Sequence, residues 1–253
     1  MVSARDPYVV TGLFGLLLYF IGVAIFTVAV LIGDPAAIVF MLFFLVPGLI
    51  VGVALLRWRR WGLIVAALLS LVGLIFLSAD MDLFLSTPEA FFDFSSTLFG
   101  VVGLLIVFFA SLVGTVQYFR RPVAAQSSGV HVAFKALAAV IAVIAVISLV
   151  LTIANIGDVS EAEAQGAVVL VAKEAEFDLK MIEATPGEPL RILLRNDDPA
   201  MHTFTIDDLD IDVKMGPWTE EIVVIESQQP RILGFICRIE GHEEDMTGAI
   251  VFE

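Results

Sequence analysis

The sequence from Cys237 to Met246 reads CRIEGHEEDM and contains the only cysteine of the chain. Four residues separate Cys237 from His242, and three separate His242 from Met246. A thiolate, an imidazole and a thioether together suit a soft transition metal, and copper above all. The stretch therefore predicts a metal-binding loop, and the rest of the chain must supply a further ligand and a scaffold.

Composition divides the chain into an apolar part and an acidic part. Hydrophobic residues make up 59% of the 253 residues, and the formal net charge is −14. Residues 1–156 contain seven Lys or Arg and six Asp or Glu, whereas residues 157–253 contain seven and 22. The acidity of the second part disfavours nucleic-acid binding and favours a basic protein partner. Alternatively, it serves only solubility or life in a salty habitat.

The first part has five apolar runs, each close to the roughly 20 residues that a helix needs to cross a bilayer. They are Tyr8–Ile32, Ala36–Leu56, Trp61–Ala79, Thr97–Phe119 and Val132–Ala154. None contains an ionisable side chain near its centre. The runs therefore predict five transmembrane helices that anchor or dock the protein and do not transport ions.

The loops between these runs predict an orientation. Residues 57–60 include three arginines, and Arg120 and Arg121 lie in a second basic loop, whereas the other two loops contain acids such as Asp34 and Asp80. Basic loops stay on the cytoplasmic side. We therefore predict a multi-pass protein of the cytoplasmic membrane, with its N-terminus inside and its C-terminal part extracytoplasmic.

The second part has the pattern of a β-sandwich. Its short β-branched or alternating runs are separated by turn sequences and number about seven: Val168–Ala172, Glu176–Ala184, Leu190–Asn196, His202–Ile206, Glu221–Ile225, Arg231–Cys237 and Ala249–Phe252. This spacing favours an antiparallel sandwich. The predicted layout is a transmembrane domain at 1–156, a small, polar linker at 157–166, and an all-β domain at 167–253.

His202 is the only other histidine of the acidic part, and it begins a predicted strand just after a turn. Loops at one end of a sandwich converge, so we expect His202 to approach the loop from Cys237 to Met246. Two imidazoles and one thiolate in a plane, with a weak axial thioether, form a blue-copper electron-transfer site. The predicted metal ligands are His202, Cys237, His242 and Met246.

The acidic part resembles the cupredoxins, a family that includes plastocyanins, azurins and halocyanins, from about Val168 to Glu253. The residues that carry the resemblance are TPGE at 185–188, HTFTI at 202–206, FIC at 235–237, GH at 241–242, and Met246 followed by GAIV at 248–251. The resemblance implies an eight-stranded Greek-key sandwich with one mononuclear type 1 copper. It also implies equatorial His202, Cys237 and His242, axial Met246, and electron passage through His242. Gly241 excludes a binuclear copper site, which would need a second cysteine near that position.

These features together predict a membrane-bound electron carrier that is not an enzyme. We expect it to belong to, or to donate electrons to, a respiratory or photosynthetic complex. Its redox partner would be a cytochrome, an oxidase or a reaction centre, docking through a basic face. The alternatives are a membrane protein that stores, delivers or senses copper, and an accessory assembly subunit of a membrane complex.

Overall fold

The computed structural model describes residues 6–33, 39, 41–79, 81–120, 129–157, 159–226 and 228–253. Asp34, Asp80 and Arg121, on which the orientation prediction partly depends, lie outside these residues, as do the side chains of Arg59, Arg60 and Arg120. The chain forms two compact units, the first mostly within residues 1–148 and the second mostly within residues 149–253.

Apolar helices form the first unit, and the last of them continues into the second. In the described residues they are α1 (Pro7–Gly33), α2 (Met41–Arg57), α3 (Arg59–Phe76), a short α4 (Met81–Leu85), α5 (Phe91–Arg120) and α6 (Gly129–Asn155). A helix lies at each of the five predicted runs. The largest difference is in α5, which begins at Phe91 instead of Thr97 because hydrogen bonds from Phe91 N–H to Thr152 Oγ1 (3.0 Å) and from Ser148 Oγ to the Pro88 carbonyl (2.5 Å) fix its start.

Three of these helices are long and apolar enough to cross a membrane, over Pro7–Ile32, Phe91–Phe119 and Ala133–Asn155. The other two, Met41–Arg57 and Trp61–Phe76, are apolar but shorter within the described residues. A helix of 17 residues, such as α2, extends only about 25 Å at 1.5 Å per residue, less than a hydrocarbon core of about 30 Å. The structure thus gives a helical part with several apolar helices, and three candidate spans where five were predicted.

Close helix packing in the first unit depends on small residues. A Cβ atom added at Gly103 of α5 would lie 2.6 Å from the Gly15 carbonyl oxygen of α1, so both positions need glycine. Tyr19 of α1 donates a hydrogen bond from its hydroxyl to the Phe44 carbonyl of α2 at 2.8 Å. These contacts join α1 to both α2 and α5.

The second unit is a β-sandwich with nine strands in the described residues. They are β1 (Val168–Lys173), β2 (Glu176–Phe177), β3 (Met181–Ala184), β4 (Leu190–Asn196), β5 (His202–Ile206), β6 (Ile211–Met215), β7 (Glu220–Ile225), β8 (Arg231–Ile236) and β9 (Thr247–Phe252). The predicted strand at 176–184 is in fact β2 and β3. Strand β6 was not predicted, although Ile211, Val213 and Met215 alternate with polar residues, because acidic residues flank it in the sequence.

One sheet has the order β2-β1-β4-β7, and the other has the order β3-β9-β8-β5-β6. The β-sandwich is confirmed, but the prediction of an antiparallel arrangement is wrong for two pairs, because β1 is parallel to β4 and β3 is parallel to β9. The alternation of apolar and polar residues within a strand indicates which face is buried. The relative direction of two strands depends instead on which distant segment lies beside each of them.

Three phenylalanines fill the centre of the sandwich. Phe177 and Phe204 lie 5.6 and 5.4 Å, respectively, from Phe235, measured between ring centroids. All three side chains are almost completely buried. Because Phe204 belongs to β5 and Phe235 to β8, this packing also fixes the two strands that hold His202 and Cys237.

The predicted linker is hydrogen-bonded to β7 where it is described. Glu220 N–H donates to the Gly157 carbonyl at 3.2 Å, and Val159 N–H donates to Glu220 Oε2 at 2.9 Å. A one-turn helix, α7 (Glu161–Ala164), follows, and Arg191 donates to the carbonyl of Glu163 at 2.6 Å. The chain therefore enters the sandwich along an edge strand.

Candidate metal centre

The ends of three strands bring three of the four predicted donors together. His202 is the first residue of β5, Cys237 directly follows β8, and the segment from Cys237 to β9 contains His242 and Met246. Pairing of Thr205 in β5 with Ile236 in β8 sets His202 beside Cys237. The ligand atoms of His202, Cys237 and His242 all lie within 4.8 Å of one another.

Backbone hydrogen bonds fix the loop between β8 and β9. Cys237 N–H donates to the Met246 carbonyl at 2.8 Å, and Met246 N–H donates to the His242 carbonyl at 2.8 Å. Gly241 has a φ of +89°, a left-handed conformation that favours glycine. The loop thereby sets His242 close to Cys237 and buries the side chain of Met246 completely.

The sulfur of Cys237 is buried and receives weak hydrogen bonds. Thr203 N–H lies 3.4 Å from Sγ, and Thr203 Oγ1 lies 3.7 Å from it while accepting from Arg238 N–H at 2.8 Å. Burial alone would raise the pKa of Cys237, but the nearby imidazoles of His202 and His242 and the hydrogen bond from Thr203 N–H outweigh it and lower the pKa to about 5. The thiolate that soft metals require is therefore favoured at neutral pH.

The two nitrogens of His202 have different surroundings. Nε2 lies 2.8 Å from Oδ2 of Asp198, whereas Nδ1 is buried and has no hydrogen-bond partner in the part of the chain that the structure describes. Burial alone would lower the pKa of His202, but Asp198 and the nearby Cys237 sulfur outweigh it and raise the pKa to about 9. Buried polar atoms normally have a hydrogen-bond partner. A buried nitrogen that lacks one and lies close to a thiolate therefore fits the role of a metal ligand.

His242 completes the group on its outer side. Its Nδ1 lies 3.9 Å from Cys237 Sγ, and its ring centroid lies 5.2 Å from that of His202. His242 is half-buried, whereas His202 and Cys237 are buried. Two imidazole nitrogens and one thiolate, with the unpaired Nδ1 of His202 among them, fit a copper ion.

Two residues that hold these donors, Asp198 and Thr203, were not predicted from the sequence. Asp198 belongs to a segment that has the residue types of a turn, and Thr203 has a residue type that is common in strands. Neither has a distinctive sequence signal, because their contacts with His202 and Cys237 arise only when the strand ends meet.

Exposed acids flank His242 in the sequence. Glu240, Glu243, Glu244 and Asp245 are all solvent-exposed. Glu243 accepts a hydrogen bond from Gly241 N–H at 3.0 Å, and the Asp245 carbonyl accepts one from the Lys180 ammonium group. We call these four residues the acidic rim.

In the metal-free protein, we expect Cys237 to be deprotonated at neutral pH. Its folded-state pKa of about 5 lies below the ordinary 9.0, so the thiolate persists until the pH falls through about 5. Because the chain has a single cysteine, the ultraviolet absorbance of the thiolate reports on this residue alone. The Cys237→Ser variant supplies the baseline. A thiolate signal that disappears near pH 9 would contradict this expectation.

Comparison with known proteins identifies a related family for the C-terminal part. Residues 140–252 match a family described as "Cupredoxin-like domain". No curated protein matches the sequence.

Several solved structures are similar to part of the chain. Dithionite-reduced auracyanin from Roseiflexus castenholzii is 13% identical, with 35% of this chain and 98% of that chain covered and a TM-score of 0.31. Auracyanin A from Chloroflexus aurantiacus, described as a "blue" copper protein, is 14% identical, with 34% and 98% covered and a TM-score of 0.31. A heme-copper terminal oxidase is 19% identical, with 50% and 97% covered and a TM-score of 0.32.

Proposed function

We propose that this chain, whose residues 140–252 match a cupredoxin-like family, is a membrane-anchored electron carrier with one type 1 copper site. The observation that carries the proposal is the convergence of His202, Cys237 and His242, with ligand atoms within 4.8 Å of one another. Met246, buried in the same loop, is the proposed axial ligand. A copper ion bound there would alternate between Cu(II) and Cu(I) and so carry one electron.

The protein residues supply a rigid and mostly dry site. His202 and Cys237 are buried at strand ends, and the hydrogen bonds from Thr203 hold the sulfur in place. A site fixed by the fold limits rearrangement when the charge of the ion changes, which favours rapid electron transfer. Burial of two ligands also slows metal exchange, which disfavours copper storage or delivery. The chain is proposed to have no catalytic residues of its own.

His242 is the proposed route for electrons, because it is the half-exposed member of the group. The exposed acidic rim lies next to it in the sequence, and a cluster of like charges attracts a partner of opposite charge. We infer that the electron donor or acceptor, a cytochrome, an oxidase or a reaction centre, docks there through a basic face.

The helical part is proposed to hold this domain at the outer face of the cytoplasmic membrane. All five apolar helices would cross the bilayer, because α2 with 17 residues and α3 with 18 reach the lower limit of about 17 residues for a span. Residues 1–156 would then form a transmembrane domain, residues 157–166 a linker, and residues 167–253 an extracytoplasmic domain. Arg57 and Arg120 lie at the ends of α2 and α5, in agreement with basic cytoplasmic loops. Five helices exceed what anchoring needs, which supports a place within a larger respiratory or photosynthetic complex.

The full-length protein in detergent is expected to turn intensely blue with one equivalent of Cu(II) and to lose the colour on reduction. The colour arises only when a thiolate binds Cu(II) in a site of low symmetry. The measurement is visible absorbance during titration with Cu(II), followed by ascorbate. A bound but colourless Cu(II), or a site that prefers zinc and does not change on reduction, would overturn the proposal.

A further inference from the structure

We propose that Asp198 is a positioning residue for the copper ligand His202, fixing its tautomer and stabilising the oxidised state of the site. This inference rests on the copper site proposed above. It concerns a residue outside the four ligands, in the segment between β4 and β5.

The contact between the two side chains is close and buried. Asp198 Oδ2 lies 2.8 Å from His202 Nε2, and the two side chains are 6% and 1% exposed. A carboxylate can only accept this hydrogen bond, so Nε2 must carry the proton. Nδ1, the other nitrogen, is then left as the metal donor, and it is the buried atom without a partner among the described residues.

A tight turn holds the carboxylate of Asp198 from the other side. Glu174 N–H donates to Oδ1 at 2.9 Å, and Ala175 N–H donates to Oδ2 at 3.2 Å. Glu174 and Ala175 are the two central residues of the turn that joins β1 to β2, and both have a φ of 55°. Tight two-residue hairpin turns require a positive φ at both positions. In this conformation the turn points two successive N–H groups at one carboxylate, an arrangement that favours a bound anion.

Asn196 fixes the backbone on which Asp198 lies. Its side-chain oxygen accepts from Asp198 N–H at 2.8 Å, and its amide nitrogen donates to the carbonyls of Ala200, Met215 and Gly216 at 2.8 to 3.0 Å. Asn196 ends β4 and Met215 ends β6, so the segment is tied to both sheets. The position of the carboxylate is therefore set by the sandwich and does not depend on a bound ion.

The negative charge of Asp198 would affect the copper site in a way that a neutral hydrogen-bond acceptor would not. A carboxylate hydrogen-bonded to a metal-binding imidazole fixes the ring and makes the nitrogen donor more basic. A more basic donor and a nearby negative charge both favour Cu(II) over Cu(I). Asp198 is thus expected to lower the reduction potential of the site.

The test compares Asp198→Asn with Asp197→Asn in full-length, copper-loaded protein. Both changes remove one negative charge, but Asp197 is exposed, so solvent screens its charge. Losing an outer-shell partner typically costs about 10–100-fold in metal affinity. We expect Asp198→Asn to weaken Cu(II) binding at least about tenfold more than Cu(I) binding. That ratio corresponds to a rise of about 59 mV in potential for a one-electron couple.

The measurements are the potential and the two affinities, obtained by competition with chelators. An Asp198→Asn potential equal to that of Asp197→Asn would overturn the inference, although both variants would still be blue. Wild-type protein that never turns blue would instead overturn the proposed function.

A second measurement needs no variant and so does not depend on whether Asp198→Asn folds. Nitrogen-15 NMR of the histidines in wild-type Cu(I) protein is expected to show a slowly exchanging proton on Nε2 of His202. His242, which is half-exposed, supplies the internal comparison. A proton on Nδ1 of His202, or an Nε2 proton that exchanges as fast as that of His242, would contradict the proposed role.

Discussion

Replacing Cys237 with serine is expected to abolish the blue colour and to weaken Cu(I) binding by more than about 100-fold. The 100-fold figure is a lower limit for the loss of affinity. Losing a residue that only contacts a metal ligand typically lowers metal affinity about 10–100-fold, whereas Cys237 would contact the ion itself. The chain has no second cysteine to replace it, and a serine hydroxyl neither ionises near neutral pH nor prefers a soft ion. Visible absorbance and chelator competition measure the two effects.

Met215→Leu is the matched control, since it also removes a buried sulfur. Met215 is 2% exposed and pairs with His202 across β5 and β6, but it is not a proposed ligand. We expect this variant to stay blue. A Cys237→Ser protein that kept its colour, or a Met215→Leu protein that lost it, would show that the ligands are assigned wrongly.

Replacing Phe204 with alanine is expected to destabilise the sandwich by about 3–5 kcal/mol, the usual cost of such a cavity. Phe204 is fully buried and packs against Phe177 and Phe235. Cys237 is also fully buried, so a thiol reagent reaches it in metal-free protein only when the sandwich opens. At about 1.4 kcal/mol per factor of ten, labelling should become roughly 100-fold faster or more.

Ile232→Ala is the control for this experiment. Ile232 lies in β8 and is 66% exposed, so its truncation should change stability by no more than about 0.5 kcal/mol. Labelling of Cys237 should then change by less than about threefold. Equal labelling rates in the two variants would mean that Cys237 becomes accessible by a local movement of its loop and not by opening of the core.

Elements that depend on local sequence patterns could be predicted, whereas features that depend on contacts between distant segments could not. Apolar runs predicted the positions of α1, α2, α3, α5 and α6, because helix burial in lipid or in a bundle needs only a continuous run. The alternation of apolar and polar residues predicted most strands, because it too is a pattern within one short segment. Strand β6 was not predicted, because acidic residues flank the half-buried Ile211 and Val213 and the buried Met215, and β2 and β3 were predicted as one strand.

Strand directions could not be predicted in the same way. The parallel pairs β1–β4 and β3–β9 join segments that are far apart in sequence, and the inward and outward alternation of each strand is the same in either direction. Only the complete set of strand pairs selects one arrangement.

Residue types and their spacing define which donors a metal could use. Cys237 is the only cysteine, His202 and His242 are the only histidines after residue 131, and the spacing to Met246 is a property of the loop alone. Residue identity and spacing are properties of the covalent chain, so they are known without knowledge of the fold.

The tertiary structure alone decided how those donors are held. Three contacts join residues from separate strands and turns. They are the 2.8 Å contact between Asp198 and His202, the hydrogen bonds from the turn at Glu174 and Ala175 to Asp198, and the hydrogen bond from Thr203 to the sulfur of Cys237. Asp, Glu, Ala and Thr occur throughout the chain without such roles. Their function depends on position and not on residue type, and position is set only when the two sheets pack against each other.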